Sequence, residues 1–321
     1  MDKDLLFDRD KLTLKPLGNR IHDLSLKDYY KLSDEIPAFE HPSIPDVAEC
    51  VKKARQNKKP VILMMGAHLL RSGNACFIND LVNQGYITHI AGNGAVAIHD
   101  FEMALIGATT ESVARYIKTG EFGLWKETSL INDAVITGVK NGLGYGESIA
   151  KWIVDNSFPY SEYSILATAY KKRIPFTIHI GIGYDITCEM PNYSGVSSGE
   201  ASYMDFLCFA KTIENLEGGV FLNFGSAVMG PEVYLKALSM ARNVAFKERR
   251  EIKNFSTAVF DIMPLDENTA EKNPEKSNPF YYFRPWKTIL CRTVEDGGKS
   301  YFIKGDHKDT FPALYKAIMK Q

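Results

Sequence analysis

A doubly wound α/β protein with a mostly parallel, Rossmann-like sheet is what this sequence predicts, and three observations carry the expectation. Continuous apolar runs of strand length recur along the chain. They end in turns rich in glycine and other small residues, and those turns open into segments with helical apolar spacing. Strands alternating with helices in this way build a parallel sheet covered on both faces.

The elements follow in order. Residues 1–45 read as an N-terminal arm with short helices, broken at Pro37 and Pro42, and residues 46–321 read as one α/β domain. The domain opens on a helix, DVAECVKKARQNKK (46–59), whose apolar positions recur at helical spacing. PVILMM (60–65) is a buried strand, and NACFINDLVNQG (74–85) is a helix closed by Gly85. YITHIAGNGAVAIHDFEMALIG (86–107) repeats the strand, glycine turn and helix. Residues 109–156 read as helical, with a capping signal at TTES (109–112) and a break at NGLGYGES (141–148). FTIHIGIGYD (176–185), GGVFLNFGSAVMGPE (218–232) and STAVFDIMP (256–264) supply three more strands, with the helix ASYMDFLCFAKTIENL (201–216) among them. A polar loop, LDENTAEKNPEKSNP (265–279), precedes two further expected strands, KTILCRT (287–293) and KSYFIKGD (299–306), and a final helix, FPALYKAIMKQ (311–321).

Composition narrows the function classes. Across 321 residues, 45% are hydrophobic, enough for a large core without covalent staples. Lys plus Arg number 38 against 39 for Asp plus Glu, a balance that argues against a nucleic-acid or polybasic membrane partner. Cys50, Cys76, Cys188, Cys208 and Cys291 are scattered without metal-ligand spacing and read as reduced thiols. The charged start MDKDLLFDRD lacks the apolar core of a signal peptide, and no apolar run reaches membrane-spanning length. A cytoplasmic protein is expected.

Ligands of open α/β sheets bind outside the carboxyl ends of the strands. Four small-residue segments fall there: 66–73, 91–100, 179–185 and 223–230. Glycine lets a backbone approach a ligand, and the next helix start offers free N–H groups to an anion. A nucleotide site follows, although neither GxGxxG after the first strand nor GxxxxGK[ST] is present. His68, His99 and His179, with Asp100 and Asp185, stand at or near strand ends as acid/base or metal candidates. Lys287 follows an aromatic segment, NPFYYFRPW, whose apolar walls would lower its pKa and make a nucleophilic amine possible, although composition alone favours a lysine snorkelling from the start of an edge strand.

These blocks resemble the deoxyhypusine synthase family and its bacterial relatives over residues 60 to 320. AHLLRSG (67–73) is similar to a family turn of the type SNLISSG, and NGAV (93–96) with His99 and Asp100 to a TAGG turn followed by an acidic pair. IPFTIHIGIGYD resembles a strand block ending near an Asp, and LNFGSA (222–227) resembles ILGGG. PWKTI (285–289) resembles the reactive-lysine motif SWGKI, and Asp306 with Phe311 and Pro312 matches the final block. The resemblance implies an NAD-dependent aminobutyl transferase. Lys287 would take the aminobutyl group of a polyamine such as spermidine as an imine and pass it to a protein-lysine or diamine acceptor. It further implies a homotetramer. It places NAD on Ser72, Asn93, Gly94, Gly225, Ser226 and Asp306, and substrate near His68, His99, Asp185, Glu232 and Trp286. The sequence departs from the family where Tyr281 replaces an acidic residue, Pro285 a tryptophan, His99 an acidic residue, and Pro231 and Glu232 stand near a histidine position. A homospermidine-type synthase, a nucleotide-binding protein without transferase chemistry, and a hydrolase or lyase using His68, His99 and Asp185 are the alternatives. Carboxylates available to a polyamine near Lys287 would be Asp185, Glu189, Glu232, Asp266 and Glu267.

Overall fold

The computed structural model describes residues 5–36, 38–265, 270 and 272–320, so Pro37, Asp266 and Glu267 lie outside the described residues. In chain order the main elements are β1 (Leu24–Ser25), α1 (Ser43–Gln56), β2 (Val61–Met65), α2 (His68–Arg71), α3 (Ala75–Asn83), β3 (His89–Asn93), α4 (Gly94–Ile106), β4 (Ala108–Thr109), α5 (Val113–Tyr116), α6 (Leu130–Val139), α7 (Tyr145–Asp155), α8 (Ile165–Lys172), β5 (Phe176–His179), α9 (Gly195–Ile213), β6 (Val220–Phe224), α10 (Met229–Lys247), β7 (Ser256–Asp261), β8 (Lys299–Lys304) and α11 (His307–Met319). Six of the strands form one parallel sheet in the order β5-β3-β2-β6-β7-β8. Counted along the chain within the sheet, that order is 3-2-1-4-5-6, the doubly wound arrangement expected from sequence.

The pattern of burial explains the architecture. All five residues of β2 are buried, and alternate side chains point to opposite faces of the sheet. Val61, Leu63 and Met65 join the core under α1, α3, α4 and α11, whereas Ile62 and Met64 join the core under α9 and α10. The edge strand β5 is closed off by α9. Ile178 donates its backbone N–H to Asp205 Oδ2 at 2.7 Å, and Ile180 donates to Ser202 Oγ at 3.2 Å. Asp205 also accepts from Gly146 N–H at 2.9 Å, which ties the start of α7 to the same carboxyl.

The segment expected as strand KTILCRT is instead a π-helical stretch, Trp286–Arg292, lying in the second core beside α10. A short buried apolar run fits a strand or a buried helix equally well by periodicity, and here side-chain hydroxyls decide. Thr293 Oγ1 donates to Thr288 O at 2.8 Å, Thr257 Oγ1 to Ile289 O at 3.0 Å and Ser300 Oγ to Leu290 O at 2.7 Å. These bonds satisfy the carbonyls that a sheet neighbour would otherwise take. Helix α9 starts at Gly195, ahead of the expected 201, and α11 at His307, ahead of 311. Their N-caps are Ser194 and Asp306, whose side chains accept from Ser197 N–H and Lys308 N–H.

The N-terminal arm is bonded to the body. Tyr30 N–H donates to Gly73 O at 3.0 Å, Leu17 N–H donates to Glu127 Oε2 at 2.6 Å, and Arg20 is buried against Glu102. Among the described residues no helix is long and apolar enough to cross a membrane.

Candidate functional site

Strand order places the switch point of this sheet between β2 and β6, where the chain winds outward in opposite directions. The turns after these two strands touch. Gly66 N–H donates to Phe224 O at 2.9 Å, and a Cβ on Gly66 would stand 2.5 Å from Gly225 O. Gly225 sits at φ +60°, and a Cβ there would stand 2.4 Å from His307 Nε2. Glycine at both positions is therefore a steric requirement, and it brings β2, β6 and the first turn of α11 together around one crevice.

Three polar side chains near the switch point keep hydrogen-bonding capacity unused. Asn74 donates to Leu69 O at 3.2 Å and to His307 O at 3.0 Å, while its own Oδ1 has no partner. Asn223 donates to Ser226 O at 3.2 Å, and its Oδ1 likewise has none. His307 is 6% exposed with Nδ1 unpartnered. Buried polar atoms are normally satisfied, so these three, in side chains 0 to 6% exposed, are unused hydrogen-bonding capacity near the switch point that a ligand would reach only if the surroundings shifted. Helices α4, α10 and α11 begin at the carboxyl ends of β3, β6 and β8, turning their free N–H groups to the same side.

The histidines at this rim are held neutral. Burial pushes His99 down to about 4, and the charges of Arg71, Arg20 and His68 act in the same direction against Glu102. Burial likewise pushes His307 down to about 4, with His68 adding to it and Asp306 opposing it. His68 is exposed at the first residue of α2 and acts on both rings.

The other expected residues distribute unevenly. Gly225 and Ser226 are at the crevice, where Ser226 Oγ accepts from Gly230 N–H at 2.9 Å. Asn93 caps α4 by accepting from Val96 N–H at 3.2 Å. Gly94 lies against Asp185, since a Cβ there would stand 2.4 Å from Asp185 Oδ2. Asp185 accepts from Gly181 N–H at 2.8 Å, and burial raises its carboxyl pKa. Ser72 ends α2, half-buried. Asp306 is exposed, and its carboxylate is spent on Lys308 N–H at 2.8 Å.

Lys287, Trp286 and Glu232 do not join this group. Trp286 packs in the core under α9 and α10, on the face of the sheet opposite α2 and α4, and donates its indole N–H to Lys272 O at 3.1 Å. The Lys287 ammonium lies 4.1 Å from the Tyr281 ring centroid and 5.5 Å from that of Tyr282. Glu232 pairs with Lys236 and with Arg284 at 3.2 Å, and these partners hold its carboxyl below the ordinary range. The carboxylate expected to hold a polyamine amine is thus engaged by side chains of its own surroundings. Sequence reasoning missed His307, Asn74 and Asn223. For His307 a signal existed, because it adjoins the chosen Asp306 at the same helix start.

Comparison with known proteins corrects the family expectation. Residues 45–142 match the model of the arginine dihydrolase ArgZ-like, C-terminal, Rossmann fold. The fold is similar to ArgZ, an arginine dihydrolase from the ornithine–ammonia cycle in cyanobacteria, at TM-score 0.51 and 14% identity, covering 88% of this chain and 33% of that one. Unliganded AgrE gives TM-score 0.51 at 16% identity, covering 88% and 34%. A LOR/SDH protein from Methanococcus maripaludis S2 gives 0.51 at 17%, covering 89% and 72%. This chain spans about a third of the length of the ArgZ and AgrE chains it resembles. No curated protein matches the sequence. The matched model and these neighbours are not deoxyhypusine synthases, so the expected aminobutyl transferase, its polyamine chemistry and the homospermidine-type alternative are overturned.

Proposed function

We propose that this chain is the NAD-binding Rossmann unit of an enzyme of the ArgZ/AgrE arginine-dihydrolase type. One observation carries the reading. The 3-2-1-4-5-6 sheet brings Gly66 and Gly225 into backbone contact at the switch point, the place where such sheets take a dinucleotide. The pyrophosphate would lie over Gly66, Ala67, Gly225 and Ser226. Asn74, Asn223 and His307 would offer it their unpartnered atoms. The matched segment 45–142 contributes β2, β3 and α4, one half of that crevice.

NAD, when bound, supplies hydride transfer; the chain's own residues bind and orient it and hold neutral imidazoles beside it. Burial raises the thiol of Cys76 to about 12 and those of Cys208 and Cys291 to about 11. These thiols stay protonated at neutral pH and are poor nucleophiles. The nucleotide-binding role is assigned to this crevice on the contact of its two glycine turns at the switch point.

Ala67→Asp tests the reading. Ala67 is half-buried and immediately precedes the first residue of α2. A carboxylate there faces the pyrophosphate, and NADH affinity is expected to fall about tenfold or more by charge repulsion. Fluorescence titration of NADH, with a thermal melt as the folding control, reads the effect. Unchanged affinity in a well-folded variant would remove the dinucleotide from this crevice.

A further inference from the structure

The end of the sheet opposite the crevice holds a cavity to which the dinucleotide gives no task. It measures about 730 Å³ and opens beside the first residues of β5, among α7, α8 and α9. Ligand pockets commonly have about 300–1,000 Å³, a mostly apolar lining and a few fixed polar groups. Leu166, Tyr170, Phe176 and Met204 supply apolar surface here, and Glu147 of α7 and Asp205 of α9 supply carboxyls.

Asp205 sits in the middle of α9, is 5% exposed and forms no ion pair among the described residues. Its Oδ2 accepts the backbone N–H groups of Gly146 and Ile178 at 2.9 and 2.7 Å, which fixes the carboxyl in place. Its Oδ1 stands over Gly144, another lining residue, where a Cβ would overlap the oxygen. Burial raises the Asp205 pKa to about 7; the N–H groups of Ile178, Gly146 and Tyr145 oppose the rise and the Glu147 charge adds to it. After burial, the same two carboxyls raise the Cys208 thiol. Negative charge from two helices therefore meets at one side of the cavity. Lys171 and Arg173 also line it, but both are exposed and neither forms an ion pair among the described residues. Solvent screens their charge, whereas that of Asp205 is buried.

We infer that this cavity is a binding site for an organic ammonium ion with an apolar body. The ammonium lies against Asp205 and Glu147, and the body against Tyr170, Phe176 and Met204. Ligand and dinucleotide then occupy opposite ends of one sheet, and nothing in this site depends on the dinucleotide reading. A cation beside Asp205 favours its ionised form, so binding near neutral pH releases a proton.

The test is calorimetric titration at pH 7 with 2-phenylethylamine, in two buffers of different ionisation enthalpy. 2-Phenylethanol and phenylacetate are the neutral and anionic controls. The ammonium is expected to bind about tenfold or more tightly than either control. It should release about half a proton, because a group of pKa about 7 is half protonated at that pH. Asp205→Asn keeps an oxygen for Gly146 and Ile178, and is expected to lose both the proton release and the preference for the ammonium. Glu147→Gln, an exposed change, is expected to weaken binding about threefold and serves if a thermal melt shows Asp205→Asn unfolded. Saturating NADH should leave the amine affinity within about twofold. No binding at millimolar concentration, equal affinity for 2-phenylethanol, or binding without proton release overturns the inference. Full affinity in a folded Asp205→Asn does so too, as does competition between the amine and NADH, which would place the amine in the crevice.

Discussion

Replacing Arg20 with alanine is expected to destabilise the protein by about 3–5 kcal/mol, because it strands a buried carboxylate. The side chains of Arg20 and Glu102 are 2% and 1% exposed. Burial alone would lift the Glu102 carboxyl, but the Arg20 charge, its hydrogen bonds and the Thr128 hydroxyl outweigh it and hold the group ionised. Thr128 and Thr109 donate to it at 2.6 and 2.7 Å, so the network links the arm, α4 and β4. Urea denaturation reads the loss. The double variant Arg20→Leu/Glu102→Leu should recover part of it, because the buried Glu102 charge is gone, while Glu111, 3.7 Å from the Arg20 guanidinium, still loses that partner. A loss below about 1 kcal/mol in Arg20→Ala would show that the arm is held by other contacts.

Acid should unfold the protein early. Burial pushes His89 down to about 3 and His99, His179 and His307 down to about 4, from an ordinary value of 6.5. The unfolded chain therefore takes up protons that the folded chain refuses. That stability is complete above pH 6.5 and is lost as pH falls toward 4. Burial also raises Asp100 to about 6 and Asp205 to about 7, and lifts Glu111, Asp185, Glu189 and Asp261, and these folded-state carboxyls offset part of the effect. Each net proton taken up on unfolding corresponds to about 1.4 kcal/mol per pH unit. His89→Gln keeps hydrogen-bond partners for Thr177 and Thr212, which lie 3.1 and 2.8 Å from the ring nitrogens. The variant should have a slope shallower by about 1.4 kcal/mol per pH unit. An unchanged slope would mean that His89 titrates normally in the folded protein.

The parallel sheet was legible in the sequence because strands buried on both faces leave continuous apolar runs, as in Val61–Met65 and Val220–Phe224. The glycine turns were legible as well, since Gly66 and Gly225 stand where no side chain fits. The π-helical stretch Trp286–Arg292 was not, because the hydroxyls that stabilise it come from Thr257 and Ser300, outside the segment, as well as from Thr293 at its end. Lys287 misled for a related reason. Its aromatic neighbours were correctly foreseen, but which face of the sheet they occupy depends on that turn. Asp306 was chosen because it matches, with Phe311 and Pro312, the final block of the resembled family, and here its carboxylate is a helix cap.

The most direct test of the account is a crystal structure of the protein soaked with NAD. The predicted result is a pyrophosphate against the backbone of Gly66–Ala67 and Gly225–Ser226, with Asn74, Asn223 or His307 bonded to the nucleotide. The competing place is the cavity of about 730 Å³ at the opposite, amino end of β5, lined by Glu147, Phe176, Thr177, Asp205 and Cys208. A nucleotide found there, or none bound at saturating concentration, would contradict the account.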